Sequence, residues 1–166
     1  MGGESNPGKL AAGAVVSMQR DKKGISAALT ELVTRRKALG VYLTTHESHS
    51  ILSESLEKEG IDVSSLFFLD MGKGDSRNED NVFCLHDPAD LTELSVVITE
   101  LLDNERISFL LFDSVSGLES YVEPASVKKF LHMLVAYMKK VNKLLIIDYE
   151  KEENKDMVSF INQISS

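Results

Sequence analysis

At 166 residues, with 43% apolar and 27% charged side chains, the chain can build one domain with a full-sized core and requires no second one. Its net charge of −8 at pH 7 argues against binding bulk nucleic acid or an anionic membrane, both of which attract basic surfaces. No apolar run is long enough to span a bilayer, and the opening MGGESNPGKL lacks the apolar centre of a signal peptide, so a cytoplasmic location is expected.

Residues 1–9, with three glycines and a proline, read as a flexible tail, and residues 10–166 as a single domain. Gly13 to Met18 is a short apolar run and predicts a strand. From Gly24 the spacing turns helical, with Ile25, Ala28, Leu29, Leu32 and Val33 on one face. Gly40 is expected to end that helix in a left-handed cap, and Val41 to Thr45 is β-branched and aromatic, as strands are. His46, Glu47 and Ser48 lead out of it into a helix with Ile51, Leu52, Ser55 and Leu56 on its apolar side, stopping at Gly60.

Leu66 to Leu69 predicts a third strand, and the Gly-, Asp- and Asn-rich stretch Gly72 to Asp80 a turn. Val82 to Leu85 is a further short strand. It carries Cys84, the single cysteine, which rules out an internal disulfide and is expected as a buried core thiol. Asp90 with Glu93 three residues later has the form of a capping box, opening a helix whose face is Leu91, Leu94, Val97, Ile98, Leu101 and Leu102. Phe109 to Phe112 is an uninterrupted apolar run, as in strands buried on both faces. Pro124 suits the first turn of the longest helix, on which Val127, Phe130, Leu131, Leu134, Val135, Met138 and Val141 recur at three and four. Leu144 to Ile147 is another apolar strand, and a last helix carries Met157, Phe160, Ile161 and Ile164. Strands and helices that alternate in this way predict an α/β fold, a three-layer α/β/α sandwich with a mostly parallel central sheet.

Asp113 is the oddity, an acid at the carboxyl end of a buried strand, where ligands of open α/β sheets bind. An apolar run closed by Asp113 and Ser114 has the shape of a Walker B strand. In this setting the chain resembles the RecA superfamily and, within it, the KaiC-like ATPases. LAAGAVVSM (Leu10 to Met18) is similar to their strand before the phosphate loop, VYLTTHES (Val41 to Ser48) to their second strand, and FLLFDSVSGL (Phe109 to Leu118) to their Walker B strand. The resemblance implies a RecA-like core. It also implies a site in which Lys22 or Lys23 meets phosphate, Asp113 with Ser114 serves nucleotide and magnesium, and His46 with Glu47 replaces the glutamate pair that activates water.

The departures matter as much. A phosphate loop needs G-x-x-x-x-G-K-[ST], so that backbone N–H groups, a lysine and a hydroxyl converge on the phosphates and magnesium. Here the segment is MQRDKKGIS, Met18 to Ser26: neither lysine is followed by Ser or Thr, the spaced glycines are missing, and Asp21 brings negative charge. The resemblance also implies that relatives continue further past the strand Leu144 to Ile147, whereas this chain stops one helix later. Efficient hydrolysis is therefore not expected, and no cofactor is. The expected function is a catalytically degenerate domain that binds a protein partner or itself, in signalling or regulation, with Asp113 and Ser114 kept as structural residues. The alternative is an ATP-binding protein or weak ATPase with an unorthodox loop, Lys22 or Lys23 on phosphate and Asp113 on magnesium. Nucleic-acid binding is disfavoured by the acidic balance and the short basic clusters. The long helix offers His132, Met133 and Tyr137 as a possible contact patch.

Overall fold

The order of strands and helices follows from where apolar runs give way to turn residues. In the computed structural model, which describes residues 10–19, 22–71, 80–150 and 154–165, six strands and six helices alternate for most of the chain. They are β1 (Val15–Gln19), α1 (Lys22–Leu29), β2 (Leu39–Thr44), α2 (His49–Lys58), β3 (Leu66–Asp70) and β4 (Val82–Cys84). Then come α3 (Leu91–Leu102), β5 (Ile107–Asp113), α4 (Val115–Glu119), α5 (Pro124–Lys140), β6 (Leu144–Tyr149) and α6 (Lys155–Ile164). Residues 1–9 and most of the expected turn Gly72 to Asp80 lie outside the described residues, as does the side chain of Lys22.

The strands form one sheet in the order β1-β6-β5-β2-β3-β4, and every pairing is parallel. Alternate strand residues face opposite layers. Val41, Leu43, Leu110, Phe112, Leu145 and Ile147 pack with α3, α4, α5 and α6. Tyr42, Phe68, Phe109, Leu111 and Ile146 pack with α1 and α2. The three-layer sandwich expected from the sequence is what forms, with its sheet wholly parallel.

Helix starts follow the sequence more closely than helix ends. Pro124 occupies the first turn of α5, and the Asp90 carboxylate accepts the Glu93 N–H at 3.0 Å. The capping box is only half made, because Glu93 turns to accept from the His86 N–H (3.5 Å) and lies 3.1 Å from its Nδ1. Gly40 caps nothing. Past α1 the chain widens into π-type turns over Thr30–Arg35, with the Arg36 N–H donating to the Glu31 carbonyl five residues back. It then reverses at Lys37, whose φ of +57° takes the left-handed position. Gly40 falls inside β2 instead, under the Phe109 ring.

Four further residues depart from expectation. Ile51 is 61% exposed, because His49, Leu52 and Leu56 take the buried face of α2. Cys84 is half-buried, not sealed in the core. On α5, Met133 is exposed, but the His132 ring stacks edge-on against Phe160 at 4.9 Å and the Tyr137 hydroxyl donates to the Thr99 carbonyl at 3.1 Å. The short helix α4, after β5, has no counterpart among the expected elements.

The Tyr137 phenol makes one pH dependence predictable. Burial, and then the Asp103 charge, push its pKa above the ordinary 10.0, so the fold favours the protonated phenol. The resulting stability is complete below pH ~10 and is lost as pH rises through the raised folded value. Tyr137→Phe is expected to cost about 0.5–1 kcal/mol at neutral pH, where one partly solvated hydrogen bond is removed. It is also expected to flatten the alkaline decline, as urea titrations at neutral and alkaline pH would show.

Candidate functional site

Neighbouring strands β2 and β5 send their chains to opposite faces of the sheet, β2 into α2 and β5 into α4 and α5. Such a switch point opens a crevice at the carboxyl ends of the strands. The residues singled out in the sequence meet there. Asp113 ends β5 in register with Thr44 of β2, and the Asp113–Ser114 peptide is cis.

Much of the crevice is closed by the protein's own hydrogen bonds. The Tyr42 hydroxyl donates to Asp113 Oδ2 at 2.6 Å, and Asp113 is only 6% exposed. The Thr45 N–H donates to the Asp113 carbonyl at 2.9 Å, while Thr45 Oγ1 accepts the Ser114 N–H at 2.9 Å and lies 2.9 Å from the Ser114 carbonyl. Gly117 of α4 lets this clamp form, since a Cβ there would stand 2.0 Å from Thr45 Oγ1.

His46 and Glu47 separate. His46 Nε2 lies 2.7 Å from Ser114 Oγ and 3.2 Å from Glu150 Oε1, and Ser114 Oγ is 3.3 Å from Ser116 Oγ. Serine and acid thus share one ring nitrogen, whereas a Ser-His-acid relay needs them on opposite nitrogens. Glu47 faces a different space, a recess of about 60 Å³ in front of Asp113 lined by Ile25, Ser26, Tyr42, Leu52, Ser55, Leu56 and Glu59. Three carboxylates (Glu47, Glu59 and Asp113) face it, and no lysine or arginine is among the described residues that line it. Lys22 opens α1 and Lys23 follows it with an exposed side chain, while Asp21 lies outside the described residues.

Sequence reading passed over Tyr42, Thr45, His49 and Asp70. A signal for Asp70 was present: LFFLD, FLLFD and LLIID are three apolar strands that each run into an aspartate. Asp70, Asp113 and Asp148 are all buried, on the α1 and α2 side of the sheet's carboxyl edge.

A family model described as "ATPase: KaiC" matches residues 29–163, most of the chain. The chain belongs to the KaiC family of ATPases. Among solved structures, this KaiC-family chain is similar to a KaiC-like protein from the hyperthermophilic archaeon Pyrococcus horikoshii OT3. The two are 11% identical with a TM-score of 0.69, over 93% of this chain and 68% of that one. At that identity the likeness shows the fold, a RecA-like core as the sequence resemblance implied. In all, 320 solved chains match, and a fold so widely shared does not fix a function. Comparison with curated proteins finds no match. The KaiC match begins at Leu29 and so does not include Met18 to Ser26. Among the described residues, no helix is long and apolar enough to cross a membrane.

Proposed function

We propose that this domain keeps the KaiC-family core while having lost efficient ATP hydrolysis, and that it works by binding another protein in a regulatory role. The observation that carries this reading is the recess before Asp113. A triphosphate would have to enter beside three carboxylates, with no lysine or arginine among the described lining residues to offset the repulsion. Phosphoryl transfer depends on positioning and charge stabilisation, so a site of this sign works against it. About 60 Å³ is also small beside the roughly 300–1,000 Å³ of ligand pockets.

Further support comes from the sequence of Met18 to Ser26, which lacks the spaced glycines and the Lys-Ser/Thr pair of a phosphate loop, and from the Tyr42 bond that already engages Asp113. Lys22, Lys23, Asp113 and Ser114 are on this reading remnants of a nucleotide and magnesium site, as are His46 and Glu47 of a catalytic one. Val96 and Met133, exposed apolar side chains that line one shallow depression between α3 and α5, offer a surface for a protein contact.

Thermal unfolding in millimolar ATP and magnesium tests the reading. No shift in melting temperature is expected. A micromolar binder at about 1,000 times its Kd would add about 4 kcal/mol, or about 8 °C or more for a chain of this size. A rise of that kind, lost in Asp113→Asn, would overturn the proposal in favour of an ATP-binding protein with a non-standard loop.

A further inference from the structure

A second cluster lies further along the same edge and belongs to none of the residues discussed so far as nucleotide machinery. His49 is the first residue of α2, Asp70 the last of β3 and Cys84 the last of β4. Asp70 and Cys84 are register partners, so their side chains leave the sheet on one face, the face that α2 covers. Asp70 Oδ2 accepts the His49 backbone N–H at 2.8 Å and lies 2.9 Å from His49 Nδ1. One donor atom from each of the three residues lies within 4.8 Å of the others. His49 is 4% exposed, Asp70 2%, and Cys84 half-buried.

A His–Asp hydrogen bond accounts for two of these residues as structure. The Cys84 thiol brings a third and chemically different donor to the same point. From this geometry we propose that His49, Asp70 and Cys84 form a zinc-binding site, with water as the fourth ligand.

The donor set selects the ion. Calcium and magnesium take oxygen ligands, whereas one nitrogen, one oxygen and one sulfur suit a borderline-soft ion such as Zn²⁺. Charge also favours it: the Asp70 carboxylate and the Cys84 thiolate, its proton released to solvent, neutralise a divalent cation held by an uncharged imidazole. A neutral complex suits a site this deeply buried, since burying uncompensated charge is costly. Bonds of about 2.0–2.3 Å place tetrahedral ligand atoms about 3–4 Å apart. The cluster spans that range: the 2.9 Å His49–Asp70 pair would open slightly to take an ion, and the remaining donors, all within 4.8 Å, would draw in around it. The site is separated from Asp113 by β2, so it stands whether or not the reading of the nucleotide site holds.

The test uses the whole chain, stripped of metal by a chelator and titrated with Zn²⁺ against a chromophoric competitor, and separately with Co²⁺. One equivalent of Zn²⁺ is expected to bind. The Co²⁺ form should show a thiolate-to-cobalt charge-transfer band and the intense visible bands of four-coordination. Cys84→Ser, checked for folding by circular dichroism, should abolish the charge-transfer band and weaken Zn²⁺ by about 100-fold or more, beyond the loss typical of outer-shell changes. Failure of the wild-type chain to compete for Zn²⁺, a Co²⁺ spectrum without the thiolate band, or a Cys84→Ser affinity within about 10-fold of wild type would each overturn the site. Should Cys84→Ser not fold, the wild-type Co²⁺ spectrum decides alone.

Discussion

Gly40→Val is expected to destabilise the domain by about 3 kcal/mol or more, the upper end of what overpacking a core costs. A Cβ at Gly40 would stand 2.1 Å from Phe109 Cζ and 2.3 and 2.4 Å from its two Cε atoms. Phe109 is fully buried, between β2 and the layer of α1 and α2, and has nowhere to retreat. Glycine inside a strand ordinarily weakens it, and here the covering ring is what makes the residue fit. Phe109→Ala alone should cost about 3–5 kcal/mol by leaving a cavity. The two changes should nonetheless couple, since the truncated ring gives the valine room. Urea titrations of both single variants and the double variant would measure this. A double variant whose loss equals the sum of the singles would show that the ring is not what excludes a side chain at Gly40.

Asp113→Ala is expected to act on stability even in buffer without nucleotide or metal. The change removes the acceptor of a 2.6 Å bond from the buried Tyr42 hydroxyl and leaves a void at the end of β5. Together these should cost about 2–4 kcal/mol, or roughly 4–16 °C in melting temperature for a chain of this length. Tyr42→Phe, which removes the donor and keeps the ring, should cost about 1–3 kcal/mol. An Asp113→Ala protein as stable as wild type would mean that the residue has no structural role, contrary to the expectation that it is kept for one.

The fold could be read from the sequence because burial dictates the pattern. LLII, FLLF and LFFL can be stable only where both sides of a strand are covered, and the helices show their buried faces at intervals of three and four. Failures came where a tertiary contact overrode a local preference. Gly40 is the best left-handed cap in its neighbourhood, but the widened turns after α1 placed that conformation three residues earlier, on Lys37. Ile51 looked like core, but the Asp70 carboxylate drew His49 inward and so fixed which way α2 is rotated. Asp113 was legible because its acid interrupts an apolar run. Tyr42 and Thr45 were not, since an aromatic and a β-branched residue in a strand are what any buried sheet contains.

The order of the sheet bears on how copies of this chain meet. Among the described residues its two outer strands are unequal: β1 runs for five residues, whereas β4 runs for three. A strand of three residues presents so few backbone donors and acceptors that a neighbouring chain gains little by adding to it, one of the ways in which proteins resist edge-to-edge aggregation. Lateral growth of the sheet from chain to chain is thus discouraged at the β4 end, and β1 is the border at which it has more to gain.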